Sequence, residues 1–233
     1  MRVRIKFSKH GAVKFIGHLD FMRYFQKAIR RAGIDVTYSS GFSPHQVMSF
    51  AAPLGVGHCS NGDYFDIEVN SHNGRQDMIE RLNEAMVPGV KVENIVALRE
   101  NAGNAMASVA AAGYTLEWKE GYEVPENLKD AVSKFYAQDS IMVTKQTKKS
   151  TLELDLKPGI YEIKTTTDSI YMLVDASSSG NIKPVLLLEA FYGFIGKEFD
   201  PLAIQITREE TYTDVGETGK RNLVPLDAVG EDF

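Results

Sequence analysis

The sequence predicts an α+β protein with two domains. Its 233 residues, 43% of them apolar, are enough for two separate hydrophobic cores. Segments with the period-two alternation of half-buried strands are interspersed with segments of helical spacing. The order of these segments in the first hundred residues recurs in the second half without residue identity, which indicates two units of similar architecture.

The first strand and the first helix have the clearest patterns. "VRIKFSK" at 3–9 alternates apolar with mostly basic residues, as in a strand with one buried face. Met22, Phe25, Ile29 and Ala32 then recur at spacings of three and four, so they predict the core-facing stripe of a helix.

This helix has a second, basic face. Arg23, Lys27 and Arg30 are spaced by four and three residues on a side different from the apolar stripe. Gly33 is well placed to end the helix in a left-handed conformation. The segment is therefore an amphipathic helix with cations toward solvent.

The rest of the first half also contains segments with strand patterns and helix patterns in turn. Strand pieces are predicted at "DVTYSS" and "QVMSFAAP", a strand at "GDYFDIEV", a helix at "RQDMIERLNEAM" and a strand at "VKVENIVAL". The order strand, helix, strand, strand, helix, strand is that of a ferredoxin-like domain, an antiparallel sheet with two helices on one face.

The second half repeats this order in pattern. It predicts strands at 114–120, 140–147 and 150–156, a hairpin at 160–176, helices at 125–138 and 183–194, and a last strand at 203–213. The predicted organisation is two ferredoxin-like (βαββαβ) domains in tandem, at 1–98 and 114–215. A junction at 99–113 and a loose C-terminal tail at 216–233 complete the chain.

The charge of the chain is unevenly distributed. The net charge is -5, yet residues 1–50 hold nine Lys or Arg against two Asp, a balance of +7 that leaves -12 for the remainder. A local anionic partner such as RNA is one interpretation of this polarity. The other is that acidic parts of the fold cover the basic segment and neutralise it.

A glycine-proline turn lies just after the basic helix. In "GFSPHQ", Gly41 can adopt positive φ and Pro44 fixes its own φ, so the segment should bulge from the strands and present Phe42 and His45. Phe42 either caps the core or stacks on a base. The RNA-binding hypothesis combines this turn with nearby cations and histidines, and its candidate residues are Lys9, His10, His18, Arg23, Lys27, Phe42, Ser43 and His45.

Several classes of chemistry have no sequence support. Cys59 is the single cysteine and the five histidines lack helical metal-site spacing, so no metal is expected. Hydrolase elbows, phosphate loops and dinucleotide fingerprints do not occur, and no cofactor is expected. Enzymatic activity is less expected than binding. Without a long apolar run, we expect a cytoplasmic protein that does not bind membrane. DNA is not expected as a partner.

Six ordered motifs resemble a known bacterial family. They are "FSKHG" at 7–11, "FIGHLD" at 15–20, "RAGI" at 31–34, "YSSGFSPH" at 38–45, "PLGVG" at 53–57 and "GDYFDIE" at 62–68. The segment is similar to the start of the radical-SAM-linked domain of unknown function, which is found beside or fused to radical SAM proteins. The resemblance implies an accessory role in RNA modification or processing, with a radical SAM protein as partner. This chain lacks the Cys-x3-Cys-x2-Cys that would hold an iron-sulfur cluster, so the chemistry would belong to that partner.

Three functional hypotheses remain open. The first is an accessory module that binds tRNA or another structured RNA. The second is a protein-interaction subunit of a radical SAM enzyme without RNA affinity. The third is a metal-independent ribonuclease that uses His10, His18 or His45 as a base, with neighbouring Lys and Arg on the phosphate.

Overall fold

The computed structural model describes residues 1–146 and 151–233 and has a mixed α+β fold, mostly antiparallel strands with a few helices. The predicted fold class is confirmed at this level. The chain divides into two compact units, the first formed by Met1–Ala110 with Arg208–Phe233 and the second by Ala111–Thr207. In the described part of the chain, no helix is both long and apolar enough to span a membrane.

The elements follow one another in chain order through both units. The opening part of the first unit contains β1 (Arg2–Lys9), α1 (His18–Arg31), β2 (Met48–Phe50), β3 (Cys59–Glu68), α2 (Arg75–Ala85), β4 (Val90–Ala97) and α3 (Ala105–Ser108). The second unit contains β5 (Ala111–Trp118), α4 (Leu128–Tyr136), β6 (Met142–Gln146), β7 (Thr151–Asp155), β8 (Ile160–Thr165), β9 (Ser169–Asp175) and α5 (Pro184–Phe194). The chain re-enters the first unit within β10 (Ile204–Asp214) and adds β11 (Leu223–Pro225).

The first unit is built on antiparallel pairs around β1. β1 pairs with β3 on one side and β4 on the other, and the free edge of β3 is shared between β2 and β10. The segment 35–40, predicted as a strand piece, forms isolated bridges at Val36 and Tyr38. The alternation in β1 turns Val3, Ile5 and Phe7 toward α1 and α2, where they join a core with Phe25, Ile29, Phe65, Ile67, Met78, Leu82 and Ile95.

The other face of β1 and β3 is polar and is covered by the C-terminal segment. Arg4 is fully buried there, and its guanidinium makes a bidentate pair with Asp66 at 2.8 and 3.0 Å. Arg4 also donates to the Leu226 carbonyl at 3.1 Å, and the Leu226 side chain is fully buried. Residues 216–233, predicted as a loose tail, thus contain β11 and a 3-10 turn at Leu226–Val229, because their apolar side chains have a surface to cover.

The second unit has its own core and its own run of paired strands. Its strand order is β10-β5-β9-β8, with β9 antiparallel to both β5 and β8, while β6 and β7 form a separate two-stranded hairpin. Helices α4 and α5 supply Phe135 and Phe191, whose rings meet edge to face at 5.5 Å. The strands predicted at 140–147 and 150–156 are present as β6 and β7, although positions 147 to 150 lie outside the described residues.

The buried Arg4–Asp66 pair should dominate the stability of the first unit. We expect Asp66→Ala to lower the free energy of unfolding by about 3–5 kcal/mol, because it leaves a buried guanidinium without its counter-charge. The double variant Arg4→Met/Asp66→Leu should lose less than Asp66→Ala alone. Urea unfolding followed by circular dichroism measures both.

The matched control is the exposed pair of Arg23 and Asp20, 3.1 Å apart. Asp20→Ala should cost at most about 1 kcal/mol, as surface ion pairs do. Equal losses for Asp66→Ala and Asp20→Ala would contradict the structural role of the buried pair.

Candidate nucleic-acid interface

Helix α1 carries the exposed cations of the candidate site. Its buried side contains Phe21, Phe25, Ala28 and Ile29. Leu19, Arg23 and Lys27 follow one another at four-residue spacing and are all exposed. The Arg23–Asp20 ion pair is about 70% exposed on both sides, so it leaves the guanidinium accessible to a stronger anion.

The turn between Ser39 and His45 is closed by local hydrogen bonds. The Ser39 amide donates to the His45 carbonyl at 2.8 Å, and the Ser39 hydroxyl lies 2.9 Å from Nδ1 of His45. Gly41 has a φ of 108°, which an L side chain rarely adopts. Within this turn Ser43 is exposed and the Phe42 ring is completely exposed, so Phe42 does not cap the core.

A buried glutamine holds this turn beside α1. Gln46 is buried, and its amide nitrogen donates to the main-chain carbonyl of Gln26 at 3.1 Å. The turn that carries Phe42 is therefore hydrogen-bonded to α1, the helix that also carries Arg23 and Lys27. A hydrogen bond of this kind contributes about 0.5–1.5 kcal/mol to stability.

Lys9 does not reach this exposed surface. It is 2% exposed, its ammonium donates to the Ile16 carbonyl at 3.0 Å and it lies 4.5 Å from the centre of the Phe21 ring. Burial lowers the pKa of Lys9, although nearby Asp63 partly opposes the shift. Lys9 thus ties the segment before α1 to the core.

His10 and His18, which precede Arg23 and Lys27 in the chain, are not among the exposed residues either. His18 opens α1, is half-buried and contacts Phe50 edge to face at 5.5 Å between ring centres. Burial lowers the pKa of His18 below its usual range. His10 is half-buried at the start of the 3-10 turn Gly11–Phe15, where its amide donates to the Gly89 carbonyl at 2.7 Å.

The structure adds charged residues that sequence reasoning did not select. Asp63 and Arg208 are both about 95% buried and form a 2.6 Å ion pair. His58 lies near Arg208 and Lys9, and burial, followed by these two cations, lowers the pKa of His58 to about 4. No local signal marks the Asp63–Arg208 pair, because its partners are 145 residues apart in the chain.

A second exposed aromatic lies near the start of α1. Phe15 is 65% exposed, with the Lys14 ammonium 5.3 Å from its ring centre. The amide of Gly57 donates to the Lys14 carbonyl at 2.9 Å and brings the exposed Val56 alongside. We define the α1 surface as Leu19, Arg23 and Lys27 of the helix, which is about 21 Å long, together with Phe15, Phe42, Ser43 and His45 from the segments before and after it.

Most Lys and Arg side chains of the first 50 residues that lie outside α1 form ion pairs or hydrogen bonds within the first unit. Arg4 pairs with Asp66 and Lys6 with Glu210, while Arg2 donates to the Arg99 and Ala102 carbonyls. Arg23, Lys27 and Arg30 remain exposed. The positive charge of the first 50 residues is therefore concentrated on α1. Within the described ranges, no group of three His, Cys, Asp or Glu could hold a metal ion.

The comparisons with known proteins give a family and no activity. The model of the family described as "uncharacterized protein conserved in bacteria (DUF2344)" matches residues 2–184, more than half of the chain. The chain belongs to this family. The DUF2344 match includes the whole α1 surface and ends at the first residue of α5. No curated protein matches the chain.

The lowered pKa of His58 predicts a pH-dependent stability of this DUF2344 chain. An unfolded histidine takes up its proton near pH 6.5, whereas folded His58 does so only near pH 4. The stability that His58 contributes is therefore fully present above about pH 6.5 and is lost as the pH drops toward 4. Between pH 7 and pH 5, and after allowance for partial exposure, His58 should account for a loss of about 1–2 kcal/mol.

Urea unfolding at the two pH values checks this contribution. The variant His58→Gln should have a smaller difference between pH 7 and pH 5 than the wild type. His45→Gln removes an exposed imidazole and is the reference for the loss of one histidine. A wild-type pH dependence in His58→Gln would show that burial of this ring has no such effect.

Proposed function

We propose that this protein is an accessory RNA-binding module that contacts tRNA or another structured RNA through the α1 surface. The observation that supports the proposal is the hydrogen bond by which Gln46, four residues after the fully exposed Phe42, ties its turn to α1, the helix that carries exposed Arg23 and Lys27. Cations bind the phosphates without regard to sequence, and an aromatic ring stacks on an unpaired base. An exposed loop of a folded RNA offers both.

We also infer that each unit is ferredoxin-like. The pairing order β4-β1-β3-β2 in the first unit and β10-β5-β9-β8 in the second supports this inference, because both correspond to the order 4-1-3-2 of a βαββαβ sheet. In the second unit the β6–β7 hairpin would be an insertion after α4. A radical SAM protein as partner rests on the resemblance of the six sequence motifs, and cytoplasmic location on the absence of a long apolar run.

Removing the Arg23 and Lys27 side-chain charges should weaken binding to RNAs of every sequence. We expect Arg23→Ala/Lys27→Ala to reduce affinity for total tRNA at low salt and to decrease the salt slope of log K by about 1.4, two phosphate contacts at ~0.7 each. Filter binding or electrophoretic shift at several salt concentrations measures both quantities.

A control with the same change in net charge is available in the second unit. Lys129→Ala/Lys134→Ala removes two exposed cations from α4. This control should bind tRNA as the wild type does. Equal weakening by the two double variants would mean that binding follows net charge and does not use α1.

Phe42→Ala tests the stacking contribution by itself. We expect a loss of about 1–3 kcal/mol in binding single-stranded RNA, with Phe42→Tyr close to wild type. Thermal unfolding should be unchanged because the ring has no packing partner in the fold. Unchanged RNA affinity in Phe42→Ala would mean that Phe42 is not part of the binding site.

A metal-independent ribonuclease is the second candidate. It is favoured by His18 and His58, whose pKa values are both lowered by burial near Lys9. A neutral imidazole can accept the proton of a 2′-hydroxyl, and nearby cations can stabilise the phosphorane. Cleavage of tRNA in chelator that is lost in His18→Ala, His45→Ala or His58→Ala would support this candidate. A chain without binding or cleavage would instead fit a protein-interaction subunit.

A further inference from the structure

A groove of about 440 Å³ lies in the second unit, outside the elements of the α1 surface. It is bounded by the end of α4, by one side of α5 and by β6. Most of the residues that line it have apolar side chains, Gln138 and Thr144 add polar groups, and Glu189 is the one ionisable residue among them. No part of the RNA-binding proposal uses this groove.

The strand side of the groove follows the backbone of β6. Met142, Val143 and Thr144 all line it, although consecutive side chains of a strand point to opposite faces. A groove in contact with three successive residues must therefore run along the edge of the strand. β6 pairs with β7 on one side, and no other strand pairs with β6 among the described residues.

The helix side is one stripe of α5 that includes two small residues, Ala190 and Gly193. Leu186, Glu189, Ala190 and Gly193 recur at the spacing of one helical face. A methyl group built on Gly193 would have no atom within 4 Å, so the stripe is open at this point. A passing chain can approach α5 closely here.

Two exposed apolar side chains border the groove. Met142 is 57% exposed and Phe194 is 43% exposed, and each lies at the side of the channel between β6 and α5. Exposed apolar groups around an open strand edge are characteristic of sites that accept another strand.

We propose that this groove binds an extended peptide segment of a partner protein, which adds as a strand to β6. Main-chain groups of the segment hydrogen-bond the open edge of β6, and every second side chain points toward α5. These side chains are apolar, except for a Lys or Arg that pairs with Glu189. The segment is about five residues long, since β6 spans Met142–Gln146.

A displayed library of random nonapeptides tests this site on the full chain. We expect enriched peptides with apolar residues at alternate positions and one basic residue. A labelled synthetic copy of the consensus should bind Ala190→Arg at least tenfold more weakly, as the new side chain fills the channel. Ser133→Arg, on an exposed position of α4 outside the groove, should bind as the wild type does. No enrichment, or equal binding by Ala190→Arg, overturns the proposal.

A charge exchange identifies the basic contact. Glu189→Lys should weaken the consensus peptide and restore binding to a peptide in which the basic residue is replaced by Glu. Failure of this exchange, with the consensus peptide unaffected by Glu189→Lys, removes the assigned contact and the proposed class of partner.

Selective N-methylation tests the strand geometry. An added strand uses the amides of alternate residues, so methylation of one alternate set should abolish binding and methylation of the other set should be tolerated. Equal effects of both sets overturn strand addition. If light scattering shows a dimer that Ala190→Arg dissociates, the occupant is a second copy of this chain and the partner segment is excluded. Neither result depends on RNA binding.

Discussion

The buried ion pair between Arg4 and Asp66 is the constraint on which the first unit depends. Both groups are withdrawn from water. The cost of their desolvation is offset because all three guanidinium nitrogens of Arg4 donate hydrogen bonds. Asp66 takes two of its hydrogen bonds, and the carbonyls of Gly103 and Leu226 take others at 3.2 and 3.1 Å. Two distant segments of the chain therefore close around one side chain of β1.

This closure explains why the first unit is discontinuous in sequence. Tyr64 extends the same polar face, with its hydroxyl 2.7 Å from Glu210 and 3.0 Å from Asp227. Asn94 donates to Asp227 at 2.8 Å, so the C-terminal turn is bonded to β4 as well as β3. A unit without its last residues would leave these groups facing solvent or unpaired, and burial of unpaired polar groups is expensive.

How much of this was predictable depends on the range of each interaction. The helix at His18–Arg31, its basic face and the alternation of β1 could be predicted, because they depend on neighbours three or four residues away. The burial of Lys9 could not, since it depends on the Ile16 carbonyl and the Phe21 ring closing over its ammonium. The Asp63–Arg208 pair and the docking of Leu226 require the whole chain to fold. Local pattern therefore identified the exposed cations of the site and overestimated how many residues join them.

The internal ion pairs also determine where an anion could bind. The second unit has fourteen acidic against ten basic residues, so the acid excess of the chain does not lie mainly in the first. At physiological salt, charges more than about 8 Å apart are largely screened, and a phosphate responds to the side chains next to it more than to the net charge of -5. Arg4 and Lys6 are neutralised on the polar face. The field near α1 is therefore set by the four Lys and Arg side chains of that helix, Arg31 included, against Asp20. A chain that is acidic overall can thus present one basic face, provided that its other cations are consumed in holding the fold.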